Sequence, residues 1–288
     1  MKQSTSEFLQ LNGLRAHVRS WGPRDAPALF MLHGWMDVSA SFQFLVDALS
    51  REWRVLALDW RGFGLSQWTR QSYWFPNYIA DLDALLRHYS PDAPVCLVGH
   101  SLGGNAACLY AGIRPERVAR VATLEGFGLL ATHADEAPGR YAKWLDQQCS
   151  GPVVNRYANR SELVARLQRG NARLSAEQAV FLAEHLGQAS DEKDVVVAAD
   201  PLHKLTSPIL YRLEDAKACW RRVTAPVLWV AARDSVIMKD FVSEAGAADY
   251  RERIACFRDI RVEMLEDAAH NMHHDQPQRL AQLIEEFF

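Results

Sequence analysis

A chain of 288 residues that is 49% hydrophobic and 23% charged can bury one large α/β core, or a core that carries an insertion. Its formal net charge of −3 offers no general attraction to nucleic acid, so no nucleic-acid partner is expected. The five cysteines (Cys96, Cys108, Cys149, Cys219 and Cys256) form no CxxC pair or zinc-type spacing, and there is no run of about 18 apolar residues, so a cytoplasmic chain without a transmembrane segment is expected.

Glu7 to Leu11 and Leu14 to Ser20 alternate in polarity around Asn12-Gly13, a dipeptide suited to a tight turn, which predicts a hairpin. Ala28 to Leu32 is a continuous apolar run, the mark of a strand covered on both faces, and it stops at His33-Gly34-Trp35-Met36-Asp37. Phe42, Leu45, Val46 and Leu49 share one helical face within Ser39 to Ser50, and Trp53 to Leu58 reads as the next parallel strand. The loop after it holds Asp59 and Arg61, read as a structural, loop-fixing pair. Trp74 to Tyr89 is helical, and Pro91 and Pro94 break it before a third buried strand.

That third strand runs into Val98-Gly99-His100-Ser101-Leu102-Gly103-Gly104, and a helix over Ser101 to Ile113 follows. A serine pushed out at the top of a strand needs a sharply bent backbone, and side chains two residues before and after it would strike the neighbouring elements. Gly99 and Gly103 meet that demand. The helix aims its unpaired N–H groups at the serine, where negative charge develops in acyl transfer, so Leu102 is read as one oxyanion donor. Gly34 lets the earlier loop turn so that the Trp35 N–H supplies the second.

Val118 to Leu124 is a further strand ending at Glu125. Beyond it strand-like runs nearly vanish apart from Val195 to Val197, and helices are expected over Gly139 to Gln148, Arg160 to Arg169 and Ser175 to Leu186. Strand logic resumes at Ala225 to Ala232, followed by Arg233-Asp234-Ser235, a helix near Asp240 to Cys256, the strand Ile260 to Leu265, the loop to His270 and a closing amphipathic helix. The expected organisation is a core over residues 1–127 and 214–288, with a helical lid over residues 128–213.

With these residues in this order the chain resembles the α/β-hydrolase family, in its lidded esterase and lipase-like, serine hydrolase-like branch. The resemblance implies a mostly parallel eight-stranded sheet flanked by helices, and a triad of Ser101 as nucleophile, His270 as base and Asp234 as acid. Glu125, at the end of the strand before the lid, is the alternative acid, a position some relatives use. His273 and His274 lie one turn past His270 but inside a helical pattern, so His270 is preferred. His100 lacks further ligands at metal-like spacing and is read as a packed histidine supporting the elbow, so no metal is expected. There is no Gly-X-Gly-X-X-Gly loop, and no cofactor is implied.

The activity this implies is a serine hydrolase cleaving carboxylic esters of small to medium acyl or aryl groups through an acyl-enzyme. Lysophospholipase, thioesterase or carbon–carbon bond hydrolase chemistry on the same triad is the alternative, and outside enzymes a ligand-binding receptor-like protein of this fold. A serine at position 101 argues against the epoxide hydrolase and haloalkane dehalogenase branches, whose nucleophile is a carboxylate. The aromatics Trp35, Phe42, Trp60, Trp68, Trp74, Phe75 and Phe127 suggest an apolar pocket.

Overall fold

The hairpin forms as β1 (Ser4–Leu11) and β2 (Leu14–Trp21), with Asn12 and Gly13 both at positive φ (49° and 80°) in the turn. The computed structural model describes every residue of the chain except Arg70 and Asp191. β3 (Ala28–Leu32) leads through a short 3-10 turn at Ser39–Phe42 into α1 (Gln43–Ala48), then β4 (Arg54–Leu58), α2 (Phe75–Tyr89), β5 (Val95–His100), α3 (Leu102–Ile113) and β6 (Val118–Leu124). These join β10 (Val227–Ala232) and β11 (Ile260–Leu265) in an eight-stranded sheet of order β1-β2-β4-β3-β5-β6-β10-β11. Only the β2 pairings, with β1 and β4, are antiparallel; the remaining neighbours run parallel.

The parallel strands carry unbroken apolar runs because both faces of the sheet are covered. One face packs Phe30, Leu32, Leu56, Leu97 and Trp229 beneath α2 and α3, and the other packs Leu29, Met31, Val98 and Leu228 beneath the closing helix. Each such side chain, once buried, contributes about 1.5–3 kcal/mol. The C-terminal amphipathic pattern divides into α9 (Met272–Asp275) and α10 (Pro277–Phe287), because Pro277 cannot continue a preceding helix. The helix expected near Asp240 to Cys256 is a 3-10 turn at Ile237–Phe241 followed by α8 (Glu244–Ile254).

Between β6 and β10 the chain forms α4 (Ala137–Ser150), α5 (Arg160–Gly170), α6 (Ala176–Leu186) and α7 (Leu213–Trp220). Three short strands, β7 (Arg156–Tyr157), β8 (Gly187–Ala189) and β9 (Val195–Val197), pair antiparallel among these helices. With two or three residues each, β7 and β8 are too short for an alternation pattern to register in the sequence. This segment hydrogen-bonds the loop after β4 through Gly64 N–H to Ala198 O (2.7 Å) and Asp200 N–H to Gly62 O (2.7 Å). It reaches the α9 region through Asn171 to Asp275 (2.6 Å) and Gln178 to His274 O (3.2 Å).

Asp59 and Arg61 do fix the loop after β4, but not by pairing with each other. Asp59 meets His17 Nδ1 at 2.7 Å and accepts from the Ser39 and Leu65 N–H groups, whereas Arg61 grips Asp81 of α2 at 2.6 Å through two nitrogens.

His203 docks the inserted segment onto this loop, stacked between Phe63 (centroids 3.8 Å apart) and Tyr73 (3.5 Å) with Nδ1 3.1 Å from the Tyr78 hydroxyl. Burial pushes its imidazole down from 6.5 to about 3. The unfolded chain therefore takes up this proton first, so stability is held above about pH 6.5 and lost as pH falls from there toward about 3. Urea unfolding at about pH 7.5 and about pH 5 is expected to show the drop, and His203→Gln to shrink it by up to about 2 kcal/mol. An unchanged drop in the variant would contradict this assignment.

Candidate active site

Ser101 stands between the last residue of β5 and the first of α3 at φ 52°, ψ −114°, a conformation that costs a non-glycine residue on the order of 1–3 kcal/mol. The surroundings impose it. A methyl on Gly103 would strike the Leu32 carbonyl oxygen of β3, and one on Gly99 would strike the Gly103 carbonyl, so strand and helix approach backbone to backbone. Ser101 N–H donates to Leu124 O (2.8 Å) and its carbonyl accepts from Asn105 N–H (2.9 Å), tying the apex to β6 and to its own helix. Gly103→Ala is expected to cost about 1–3 kcal/mol or more in urea unfolding; a loss below about 0.5 kcal/mol would mean that the approach is not tight.

His270 ends the loop after β11, 29% exposed at its side chain. Two contacts hold it: the adjacent Ala269 N–H donates to Asp275 Oδ2 (2.8 Å), and the His270 carbonyl lies 2.8 Å from His100 Nε2. Since a carbonyl only accepts, His100 Nε2 carries the proton. His100, the residue before Ser101, thus holds the backbone of His270.

The acid beside His270 is Glu125, not Asp234. His270 Nδ1 lies 2.6 Å from Glu125 Oε2, and the carboxylate is buried with Ser235 Oγ donating to Oε2 (2.6 Å) and Ala232 N–H to Oε1 (3.0 Å). Glu125 itself takes φ 52°, which swings its side chain off the end of β6 and under the histidine. Asp234, preferred on its place after β10, instead pairs with Arg173 at 2.5 Å with its side chain 48% exposed. The physical reason is that β6 and β10 are sheet neighbours, so either strand end can reach the base, and Ser235 occupies the space after β10 as a donor to Glu125. Ser235 was missed in the sequence because a lone serine beside Asp234 carries no pattern.

Gly34 brings the loop after β3 against the elbow: a methyl there would lie 3.3 Å from Ser101 Cβ and 2.8 Å from His100 Nδ1. Trp35 follows it with its side chain about half in solvent. Leu102 occupies the first position of α3, where no helical acceptor exists for its N–H. The supposed aromatic pocket does not form as a unit, because Phe42, Trp60 and Phe127 are core residues whereas Trp74 is exposed. Trp68 and Met36 do line a cavity of about 360 Å³ against Val197, Ala199 and Pro201 of the inserted segment.

Behind Ser101, Asp37, His100 and His273 converge, with one donor atom of each within 4.8 Å of the others. The chain separations hid this group, which the spacing argument against a metal ligand set around His100 did not anticipate. Burial pushes the His100 imidazole well below its ordinary range, reinforced by His273 and His270. For Asp37 burial acts to raise the carboxyl, but His273 at 3.8 Å and the neighbouring histidines outweigh it and hold the group low. His273 and His274 both direct Nε2 to Ser41 Oγ (3.0 and 2.6 Å).

A strained serine at a strand–helix turn, backed by glycines, with a carboxylate-held histidine after the last strand, is the arrangement of the α/β hydrolases. The chain belongs to that family: the model of the alpha/beta hydrolase fold matches residues 27–277. It is 29% identical to a serine hydrolase-like protein of Danio rerio, over 100% of this chain and 89% of that one. Among solved structures it is similar to a thioesterase domain from the curacin biosynthetic pathway (TM-score 0.84, 22% identity, 98% and 99% of the two chains). It is also similar to E-2-(acetamidomethylene)succinate hydrolase (TM-score 0.77, 23% identity, 99% of each chain). At such identities the structural likeness bears on the fold alone.

If Glu125 holds the histidine, Glu125→Gln lowers kcat/KM for a chromogenic aryl ester by about 1,000- to 10,000-fold, as loss of the orienting carboxylate does in a triad. Asp234→Asn changes it less than about threefold, since that side chain is a surface ion-pair member. The reverse ranking would restore Asp234.

Proposed function

We propose that the protein is a serine hydrolase that cleaves carboxylic esters through an acyl-enzyme, with a Ser101, His270 and Glu125 triad. The observation that carries the reading is the buried Glu125 carboxylate on His270 Nδ1, which leaves Nε2 as the ring nitrogen available to act as base. In this mechanism Nε2 takes the Ser101 proton as Oγ attacks the acyl carbon, and the ring then gives it to the departing alkoxide. Glu125 holds the tautomer with Nδ1 protonated and stabilises the imidazolium without taking the proton. The Trp35 and Leu102 N–H groups bind the oxyanion, aided by the positive end of α3. Water activated by the same imidazole hydrolyses the acyl-enzyme, returning Ser101 and a carboxylic acid.

Residues 128–213 act as a lid in this reading. Their contacts with the loops after β4 and β10 and with the α9 region support it. The cavity of about 360 Å³ between them and the core is lined by Met36, which follows Trp35 in the loop after β3, and by Trp68, a size that suits a small to medium acyl or aryl group, although Ser101 and His270 are not among its lining residues.

Intact-protein mass spectrometry after fluorophosphonate treatment tests the nucleophile. A single adduct is expected on the wild type and none on Ser101→Ala, with slowed labelling of His270→Ala. Turnover of matched oxygen esters and thioesters then tests the substrate class, the expected ranking being oxygen esters of short acyl groups first. No adduct on wild type would overturn the proposal and favour a binding protein of this fold.

A further inference from the structure

We propose that Asp37, His100 and His273 form a binding site for a divalent transition-metal ion, Zn²⁺ being the best chemical match, behind the nucleophile. The inference stands apart from the proposed reaction, since none of the three carries a step in it. Asp37 Oδ2 and His100 Nδ1 are buried atoms without a hydrogen-bond partner among the described residues, and His273 brings Nε2 to 3.8 Å from that Asp37 oxygen. Two unpartnered acceptors beside a third buried ligand-type side chain are unusual, because buried polar atoms are nearly always hydrogen-bonded.

Proton inventory shows what the cluster lacks. His100 spends its N–H on the His270 carbonyl, so its Nδ1 presents a lone pair. Asp37 Oδ2, held as carboxylate, presents another, and two acceptors cannot satisfy each other. The donors of the neighbouring Ser41 and His33 side chains are spent elsewhere. The Ser41 hydroxyl is engaged by His273 and His274, and His33 donates Nδ1–H to Gly34 O (2.7 Å) while its Nε2 accepts from Trp60 N–H (3.0 Å). A cation answers both lone pairs at once.

The donor set selects the ion. Two imidazole nitrogens and one carboxylate oxygen suit a borderline ion, whereas Ca²⁺ and Mg²⁺ seek shells of oxygen. Tetrahedral Zn²⁺ with bonds of about 2.0–2.1 Å needs donors about 3.3 Å apart. Asp37 Oδ2 and His273 Nε2 already stand 3.8 Å apart, and the whole set within 4.8 Å, so shifts of roughly 1 Å or less would close it, His273 Nε2 exchanging its contact with the Ser41 hydroxyl for the ion. Gly34 keeps the space next to His100 Nδ1 open. The donors come from the loop after β3, the end of β5 and α9, so the ion would fasten the segments flanking Ser101 and His270 to one another.

Protein stripped with a chelator would be titrated with Zn²⁺ by calorimetry and with Co²⁺ by visible absorption, alongside Asp37→Asn, His273→Gln and His270→Ala, each checked for folding by circular dichroism. The expected result is one ion per chain, a Co²⁺ spectrum of low-coordinate nitrogen and oxygen ligation, and a thermal midpoint raised by Zn²⁺. Affinity should fall more than about tenfold in Asp37→Asn and in His273→Gln, while His270→Ala stays within about threefold. If one of the two cluster variants does not fold, the other decides. Absence of binding at millimolar Zn²⁺ would mean that a water or a shared proton satisfies the cluster and would overturn the proposal. So would equal affinity in the cluster variants, or loss of binding in His270→Ala, which would put the ion on the serine–histidine pair.

Discussion

The bent backbone at Ser101 is the constraint on which the rest of the structure depends. It forces β5 to end where α3 begins, which requires a glycine facing the Leu32 carbonyl and another facing the start of the helix. Those approaches fix the distance between β3, β5 and α3, and with it the position of the loop that carries Gly34 and Trp35. The strain at φ 52° is held by the sheet, through the bond from Ser101 N–H to Leu124 O, and not by the turn alone.

A second bond works from the other side of the site. The Glu125 carboxylate lies inside the protein, where an ionised group needs partners, and it finds three: Ser235 Oγ, the Ala232 N–H and His270 Nδ1. Each partner comes from the β10 end or the loop after β11, so satisfying one carboxylate aligns three segments. His100 completes the frame by holding the His270 backbone from the elbow. Ser101, His270 and Glu125 are therefore coupled through main-chain contacts and buried polar bonds, which is what keeps such a group in place without a flexible surface tether.

The sheet was legible because parallel strands buried on both faces write themselves as apolar runs, and the elbow because its glycines have a steric cause. The choice between Glu125 and Asp234 was not legible. Both follow strands that are neighbours in the sheet, and the decision rests on a positive φ at 125 and on the hydroxyl of Ser235, neither of which leaves a spacing signal. Asp37, His100 and His273 were hidden for a related reason: their grouping is a product of the crossovers between the parallel strands, and local ligand spacing is silent about it. The aromatics misled because a tryptophan such as Trp60, which donates to the His33 carbonyl, serves the core as readily as a pocket.

The central claim is that the carboxylate on His270 is Glu125. The most direct measurement is proton NMR of the imidazole N–H groups in protein labelled with ¹⁵N-histidine, recorded with Ser101 phosphonylated so that His270 is charged. The account predicts a strongly deshielded Nδ1–H resonance of His270 in wild type and in Asp234→Asn, and its loss in Glu125→Gln. A resonance that survives Glu125→Gln and disappears in Asp234→Asn would contradict it.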